Sequence, residues 1–312
     1  MSNSRAPGNA GHELVSFGIS LLQARSGAYT DPIGLGSYVV SKVQGRMNQD
    51  ADVEMARREP PPIRKAPPAT VLRWIQLGWK DLRRAGWPSL LHGLIITIAS
   101  LAIVEIAVLF WPLLPGAVSG FLFVGPILST GLFALSKRLE LGEQPRTKDA
   151  VDAWRRGSRC LFRLGLLLVV VATLWVGITK LVFLFFVDAE IERPVDFLRY
   201  VVLQGNDTFI EWTVLAGLVV ALVFSLTVVS VPLLVDRDVD AKLAMVTSLR
   251  TVSENPITMF VWALFLLLAT MLSVATLMLG FLLLYPLMGH ASWHVYRQLI
   301  DVSGLPARSG SE

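Results

Sequence analysis

The sequence predicts an all-α fold: a polytopic membrane helical bundle of six transmembrane helices, arranged as three hairpins, each preceded by an amphipathic cytoplasmic helix. Three observations predict it. Six apolar stretches fill most of residues 89–296, each close to the roughly 20 residues a helix needs to cross a hydrocarbon core of about 30 Å. The connecting segments alternate between rich and poor in Lys and Arg, the pattern left by retention of cations on the cytoplasmic side. Finally, 53% of the residues are hydrophobic and only 17% charged, with mean hydropathy +0.57. A soluble domain carries about 25% charged residues, so this chain lacks the polar surface to cover itself in water.

Residues 1–69 read as a disordered polar and Pro-rich N-terminal tail, without sustained periodicity before residue 55, and Met55 is an alternative start. No signal peptide is recognisable. The proline cluster at 60–68 predicts a stiff extended linker rather than a packed element. Residues 70–86 then read as an amphipathic helix with Thr70 as N-cap. At 100° per residue, Val71, Trp74, Ile75, Gly78, Trp79 and Leu82 fall on one side, and Arg73, Gln76, Lys80, Arg83 and Arg84 on the other. Such a helix suits the headgroup region of an anionic leaflet. Packing on the cytoplasmic ends of the bundle is the alternative for its apolar face. The six spans fall near 88–111, 116–136, 161–187, 212–235, 257–275 and 277–296. The last two form one apolar run of 40 residues, too long for a single span. A tight turn is required near 273–276, where no strong breaker stands. Residues 301–312 read as a short flexible C-terminal tail, which makes 70–300 the membrane domain.

Orientation follows from counting Lys and Arg. Seventeen lie in the helix at 70–86, the segment between spans two and three, the segment between spans four and five, and the C-terminus. The opposite side holds Arg193 and Arg199 among six acidic residues. Both termini are thus expected in the cytoplasm. A weak internal repeat accompanies the count. Amphipathic helices at 70–86, 147–160 and 240–253 precede the three span pairs. In the first and third units a proline opens the hairpin (Pro88, Pro256). A second proline stands in the returning span (Pro126, Pro286), with a cation eleven residues later (Lys137, Arg297).

From Pro62 onward the chain resembles a bacterial family of predicted integral membrane proteins, domain of unknown function 2189. The resemblance is carried by Arg73-Trp74-Ile75-Gln76-Leu77-Gly78-Trp79-Lys80-Asp81-Leu82 and by Gly125-Pro126 with Ser136-Lys137-Arg138-Leu139-Glu140. It extends to Asp236-Arg237-Asp238-Val239-Asp240-Ala241 and Gly289-His290-Ala291-Ser292-Trp293-His294-Val295-Tyr296-Arg297. It implies a bacterial inner-membrane protein of unestablished function. Some members carry the label of a putative cytochrome c oxidase subunit.

The oxidase label requires imidazole ligands inside the membrane. Only His92, His290 and His294 are candidates, with His290 and His294 four residues apart on one helical face. They are weak metal candidates, outweighed by ordinary hydrogen-bonded histidines at the interface, and no cofactor is expected. Two ionisable groups fall inside spans, Glu105 and Lys180, each about 25 Å from the cytoplasmic side by helical rise. An intramembrane ion pair between them follows, serving transport or, on the preferred reading, a structural or snorkelling role. Gly116 and Gly120 form a small-xxx-small pattern that permits close helix approach or marks a turn. Cys160 is the single cysteine, which excludes an intrachain disulfide. The net charge of +4 is confined to clusters beside spans, so no nucleic-acid partner is expected.

No P-loop, GxSxG, HExxH or paired-carboxylate signature is present, so the chain is not expected to be an enzyme. The expectation is a non-enzymatic structural or assembly partner in the membrane. A small transporter or channel is the alternative, and a haem or copper oxidase accessory protein a weaker one. Its partners would be the anionic cytoplasmic leaflet of the lipid bilayer and another membrane protein or a second copy of the chain.

Overall fold

The structure, a computed structural model, describes residues 38, 41–46, 59–109, 113–155, 157–186 and 207–308. The chain divides into two units, 1–56 and 57–312. In the first, residues 41–46 are helical, and most of the expected tail lies outside the described residues. The acidic segment around Arg193 and Arg199 also lies outside them.

The second unit is helical, with two isolated bridges and no longer strand pairing among the described residues. Its helices are α1 (Thr70–Ala85), α2 (Trp87–Leu109), α3 (Leu114–Leu128), α4 (Thr130–Glu140), α5 (Thr147–Arg155) and α6 (Arg159–Phe186). They continue as α7 (Asp207–Thr227), α8 (Ser230–Asp236), α9 (Ala241–Glu254), α10 (Pro256–Ala275) and α11 (Phe281–Leu299). Five segments among the described residues are long and apolar enough to cross a membrane: Trp87–Ile106, Ser119–Glu140, Arg159–Phe186, Asp207–Asp236 and Pro256–Ala275. The chain is a multi-pass membrane protein on these grounds.

The sixth expected span differs. It begins at Phe281, and its second half carries His290, Ser292, His294, Arg297 and Gln298. These polar residues keep it out of the five apolar segments, and that half faces protein. Residues 285–291 are buried without interruption, as are Trp293, Val295, Tyr296 and Leu299. α11 is the hub of the bundle, packed by α1, α2, α4 and α10. Its neighbours approach closely: a Cβ on Gly78 of α1 would lie 2.6 Å from the Ala291 nitrogen, and one on Gly289 would lie 2.5 Å from a Leu132 methyl.

Local chemistry sets the element boundaries. Gly86 takes φ +61°, which glycine adopts freely, and ends α1 with its N–H on the Leu82 carbonyl at 2.9 Å. Pro88 and Pro256 occupy first-turn positions, where a missing N–H costs nothing. The cap of α1 is Ala69 and not Thr70, and neither it nor Asp240 at α9 makes a side-chain cap bond. Pro126 stands inside α3, and the helix breaks three residues later at Ser129. Between α10 and α11 the required turn sits slightly beyond its expected place. Leu277 and Met278 take φ of 53° and 66°, a left-handed pair without glycine. The Met278 N–H reaches back to the Ser273 carbonyl at 2.8 Å.

Each of the three amphipathic helices packs on a helix of another expected unit. α5, the amphipathic helix of the second unit, packs on α4, the returning helix of the first. α9 packs on α7 and α8, and α1 packs on α11. Within the apolar layer, α3 packs along α6 and α11 along α2 more extensively than the members of each hairpin pack on each other. Gly116 and Gly120 lie at the α3–α6 contact: a Cβ on Gly116 would be 2.9 Å from Val176 Cα, and one on Gly120 3.3 Å from a Val176 methyl. The small-xxx-small pattern thus marks a helix crossing and not a turn.

Residues 60–68 and 301–308, on either side of the helices, are packed against the bundle, which differs from the expected stiff linker and flexible tail; 309–312 lie outside the described residues. Residues 60–68 are extended, yet Pro61 is buried and Ile63 bridges Ile300 in antiparallel fashion. The Arg64 N–H donates to the Leu299 carbonyl at 2.7 Å and the Asp301 N–H to the Pro62 carbonyl at 3.0 Å. The Ala66 N–H bonds the Asn255 side chain at 3.0 Å, and its carbonyl accepts from Thr258 at 2.6 Å. At the other end Arg237 bridges Ala307, and Val302 and Leu305 are buried. A strand-like segment without a sheet still needs partners for its N–H and C=O groups, and each strap finds them on the other and on the bundle.

Candidate functional site

Most of the buried polar groups gather at the end of the bundle that carries the Lys- and Arg-rich segments. The first group is a hydrogen-bonded chain built from four helices. Asp81 is on the packed face of α1, Ser89 in the first turn of α2, Ser136 on α4, and His290 and His294 on α11. His290 is fully buried and Asp81 is 6% exposed. Ser136 Oγ lies 2.8 Å from Asp81 Oδ2 and 2.7 Å from His290 Nδ1, and Ser89 Oγ lies 2.7 Å from His290 Nε2. His294 Nε2 lies 2.9 Å from the same Asp81 oxygen. Donor inventory orders the protons. A carboxylate only accepts, so Ser136 gives its proton to Asp81 and must itself accept from His290 Nδ1–H. Neutral His290 then accepts on Nε2 from Ser89. The chain runs one way, from Ser89 to Asp81, and every buried group in it is satisfied.

The second group is ionic. Asp236 closes α8 and is 5% exposed. Its carboxylate lies 3.0 Å from Lys137 Nζ, 3.1 Å from Arg237 Nε and 3.6 Å from an Arg297 nitrogen. It also accepts from the Tyr296 hydroxyl at 2.7 Å. Arg297 donates from Nε and a terminal nitrogen to one Glu140 oxygen at 2.9 and 2.7 Å, and Trp293 Nε1–H donates to the other at 3.0 Å. Arg237 also reaches the Leu305 carbonyl at 3.2 Å, and Arg308 the Leu234 carbonyl at 3.2 Å. The two cations at equivalent places in the repeat, Lys137 and Arg297, therefore meet on an acid of the middle unit. Beside the strap, hydrogen bonds from Ser303 and the Arg64 guanidinium hold the Asp301 carboxyl below its ordinary range.

His92 has a separate task. The break behind Pro126 leaves the Leu128 carbonyl to a side-chain donor, while the Gly125 carbonyl keeps the Ser129 N–H at 3.2 Å. His92 Nε2–H donates to the Leu128 carbonyl at 2.8 Å. Tyr285, its ring parallel to that of His92 with centroids 6.3 Å apart, donates to the Gly125 carbonyl at 2.8 Å. Replacing His92 by Leu is expected to cost about 2 kcal/mol of stability, the penalty of an unpaired buried carbonyl. Thermal melting in detergent measures it, and an unchanged melting temperature would refute the capping role.

The three histidines are thus distributed, each with its own protein partners. Among the described residues, no group of three or more His, Cys, Asp or Glu is placed to hold a metal. Glu105 on α2 and Lys180 on α6 are both exposed, and no ion pair joins them. The expected intramembrane pair is not formed, because α3 packs against both helices. The apolar face of α1 is likewise not free for lipid: Val71, Trp74, Gly78 and Leu82 are buried in the bundle, with Trp74 Nε1–H on Gln298 at 2.8 Å. Arg73, Lys80, Arg83 and Arg84 are exposed as expected, alongside Trp79.

Residues 113–236 match the family model described as a predicted integral membrane protein, domain of unknown function 2189. The match spans α3 to α8 and agrees with the resemblance read from the sequence over that segment. It includes Ser136, Lys137, Glu140 and Asp236. Asp81, Ser89 and all three histidines of the bundle lie outside it. No curated protein and no solved structure matches the chain.

Asp81, Ser89, Ser136 and Tyr296 escaped detection as site residues. Asp81 and Ser89 are single polar residues on mainly apolar faces, and only the crossing of α1, α2, α4 and α11 makes them partners. The equal spacing of Lys137 and Arg297 after their prolines was the one usable signal.

Proposed function

We propose that the protein is a non-enzymatic scaffold of the bacterial inner membrane, a structural or assembly partner with its basic end in the cytoplasm. One observation carries the reading: the buried polar and charged groups at the basic end are engaged by one another and by the straps. Chemistry on a substrate needs groups left open to it, whereas this network ties the three units and both straps together. The outer faces of α6 and α7 remain apolar and exposed, including Leu174, Ile178, Leu181, Val214 and Leu218. They are the surfaces available to lipid and to a membrane partner or a second copy.

Photo-cross-linking in membranes from a bacterial host tests this. A benzophenone amino acid at Ile178 or Leu218 is expected to give a discrete adduct, and the purified protein no ion or proton flux in liposomes above the empty control. Flux that follows the protein concentration, or the absence of any discrete adduct, would overturn the scaffold in favour of a transporter or channel.

The basic face of α1 supports contact with an anionic leaflet, at about 1 kcal/mol for each Lys or Arg near the surface. Glutamine at Arg73, Lys80, Arg83 and Arg84 together is expected to remove the enrichment of phosphatidylglycerol among co-purified lipids. Equal enrichment in the variant, measured by mass spectrometry, would contradict the proposal.

A further inference from the structure

Helical serines and threonines of this chain regularly donate to the carbonyl four residues back. Thr173, Thr213, Ser225, Thr227, Thr270 and Ser273 all do so at 2.7–2.8 Å, the expected arrangement where no water is present. Thr97 and Ser100 of α2 do not. They are 4% and 5% exposed, and neither hydroxyl has a hydrogen-bond partner. A buried donor left unmade costs about 1–3 kcal/mol.

Ser100 lines a crevice between α2 and α10, which flank α11 on that side. Ile103 and Ser100 of α2 face Thr270 and Val274 of α10, while Phe121 of α3 and Phe281 of α11 complete the lining. The two phenyl rings lie 5.1 Å apart at 48°. Thr97 stands one turn below Ser100.

We propose that this crevice binds a neutral lipid carrying a carbonyl oxygen, with Ser100 as the donor and the two phenyl rings against its body. Depth selects this class over a phospholipid. Ser100 is thirteen residues into α2, about 20 Å along the helix from Trp87, which stands exposed at the entry. It therefore sits inside the hydrocarbon of a core about 30 Å thick, where the ester oxygens and charged headgroup of a phospholipid do not go. A long-chain ketone or similar uncharged amphiphile can bring an acceptor there.

The test uses the full chain in nanodiscs with two photoactivatable probes, a diazirine-bearing long-chain ketone and a phosphatidylcholine with the diazirine midway along one acyl chain. The ketone is expected to label peptides containing Ser100 or Phe121. Labelling should fall at least about fivefold in Ser100→Val and in Ala117→Phe, which fills the crevice, and should recover in Ser100→Thr. Phospholipid labelling should not change. Equal ketone labelling in all variants, or phospholipid labelling that falls in parallel, would overturn the proposal. Circular dichroism and melting temperature identify a variant that fails to fold, and the filled Ala117→Phe variant then decides independently of the hydroxyls.

Discussion

Alanine in place of Asp236 is expected to destabilise the protein by about 3–5 kcal/mol, the cost of removing one partner from a buried ionic group. Lys137, Arg237, Arg297 and Tyr296 all converge on the carboxylate of this residue, which is 5% exposed. Without it three cations face one another in a partly desolvated space. Asp236→Asn keeps the shape and one acceptor for Tyr296 and should cost less. Asp236→Ala combined with Lys137→Met removes a charge of each sign and should recover part of the loss. Melting in detergent of the wild type, Asp236→Ala, Lys137→Met and the double variant gives the coupling directly. If the double variant is no better than the single one, the cluster is not an electrostatic unit.

The second large effect concerns backbone approach. A Cβ on Gly93 would overlap the Leu282 carbonyl oxygen, and its next contacts, Leu282 C and a Pro286 ring carbon, are at 2.9 Å. Gly93→Ala must therefore separate α2 from α11, and the overpacked crossing is expected to cost about 2 kcal/mol or more despite the gain in helix propensity. Gly217→Ala on α7 supplies the opposite sign. Nothing lies within 4 Å of its Cβ position, and the substitution should leave stability unchanged or raise it by up to about 1 kcal/mol. A Gly93→Ala variant as stable as the wild type would show that α2 and α11 do not cross this closely.

The helices of the membrane unit and their boundaries were largely legible in the chain. Apolar runs of about 20 residues leave little choice of structure in lipid, and Pro88, Pro126, Pro256 and Gly86 mark ends and breaks by local sterics. The last helix was legible as a helix but not in its role. The stretch 277–296 reads as apolar, yet His290, Ser292 and His294 show that it faces protein, a distinction of environment and not of conformation. Glu105 and Lys180 fail as a pair for a related reason: equal depth along two helices says nothing about which helices are neighbours. The straps were misread because proline-rich sequence reports backbone stiffness, while packing depends on what the stiff segment meets.

By itself the sequence determined membrane residence, the approximate spans, the amphipathic helices and the equivalent cations of the repeat, since each follows from local hydropathy, spacing or backbone sterics. Only the tertiary structure decided that α11 is the hub, that Lys137 and Arg297 share Asp236, and that Asp81, Ser136 and His290 form one chain. It alone shows that Thr97 and Ser100 are left without partners. Those facts depend on which helix faces cross, and the crossings are set by close approach at Gly78, Gly93 and Gly289, where a missing side chain leaves no directional mark in the sequence.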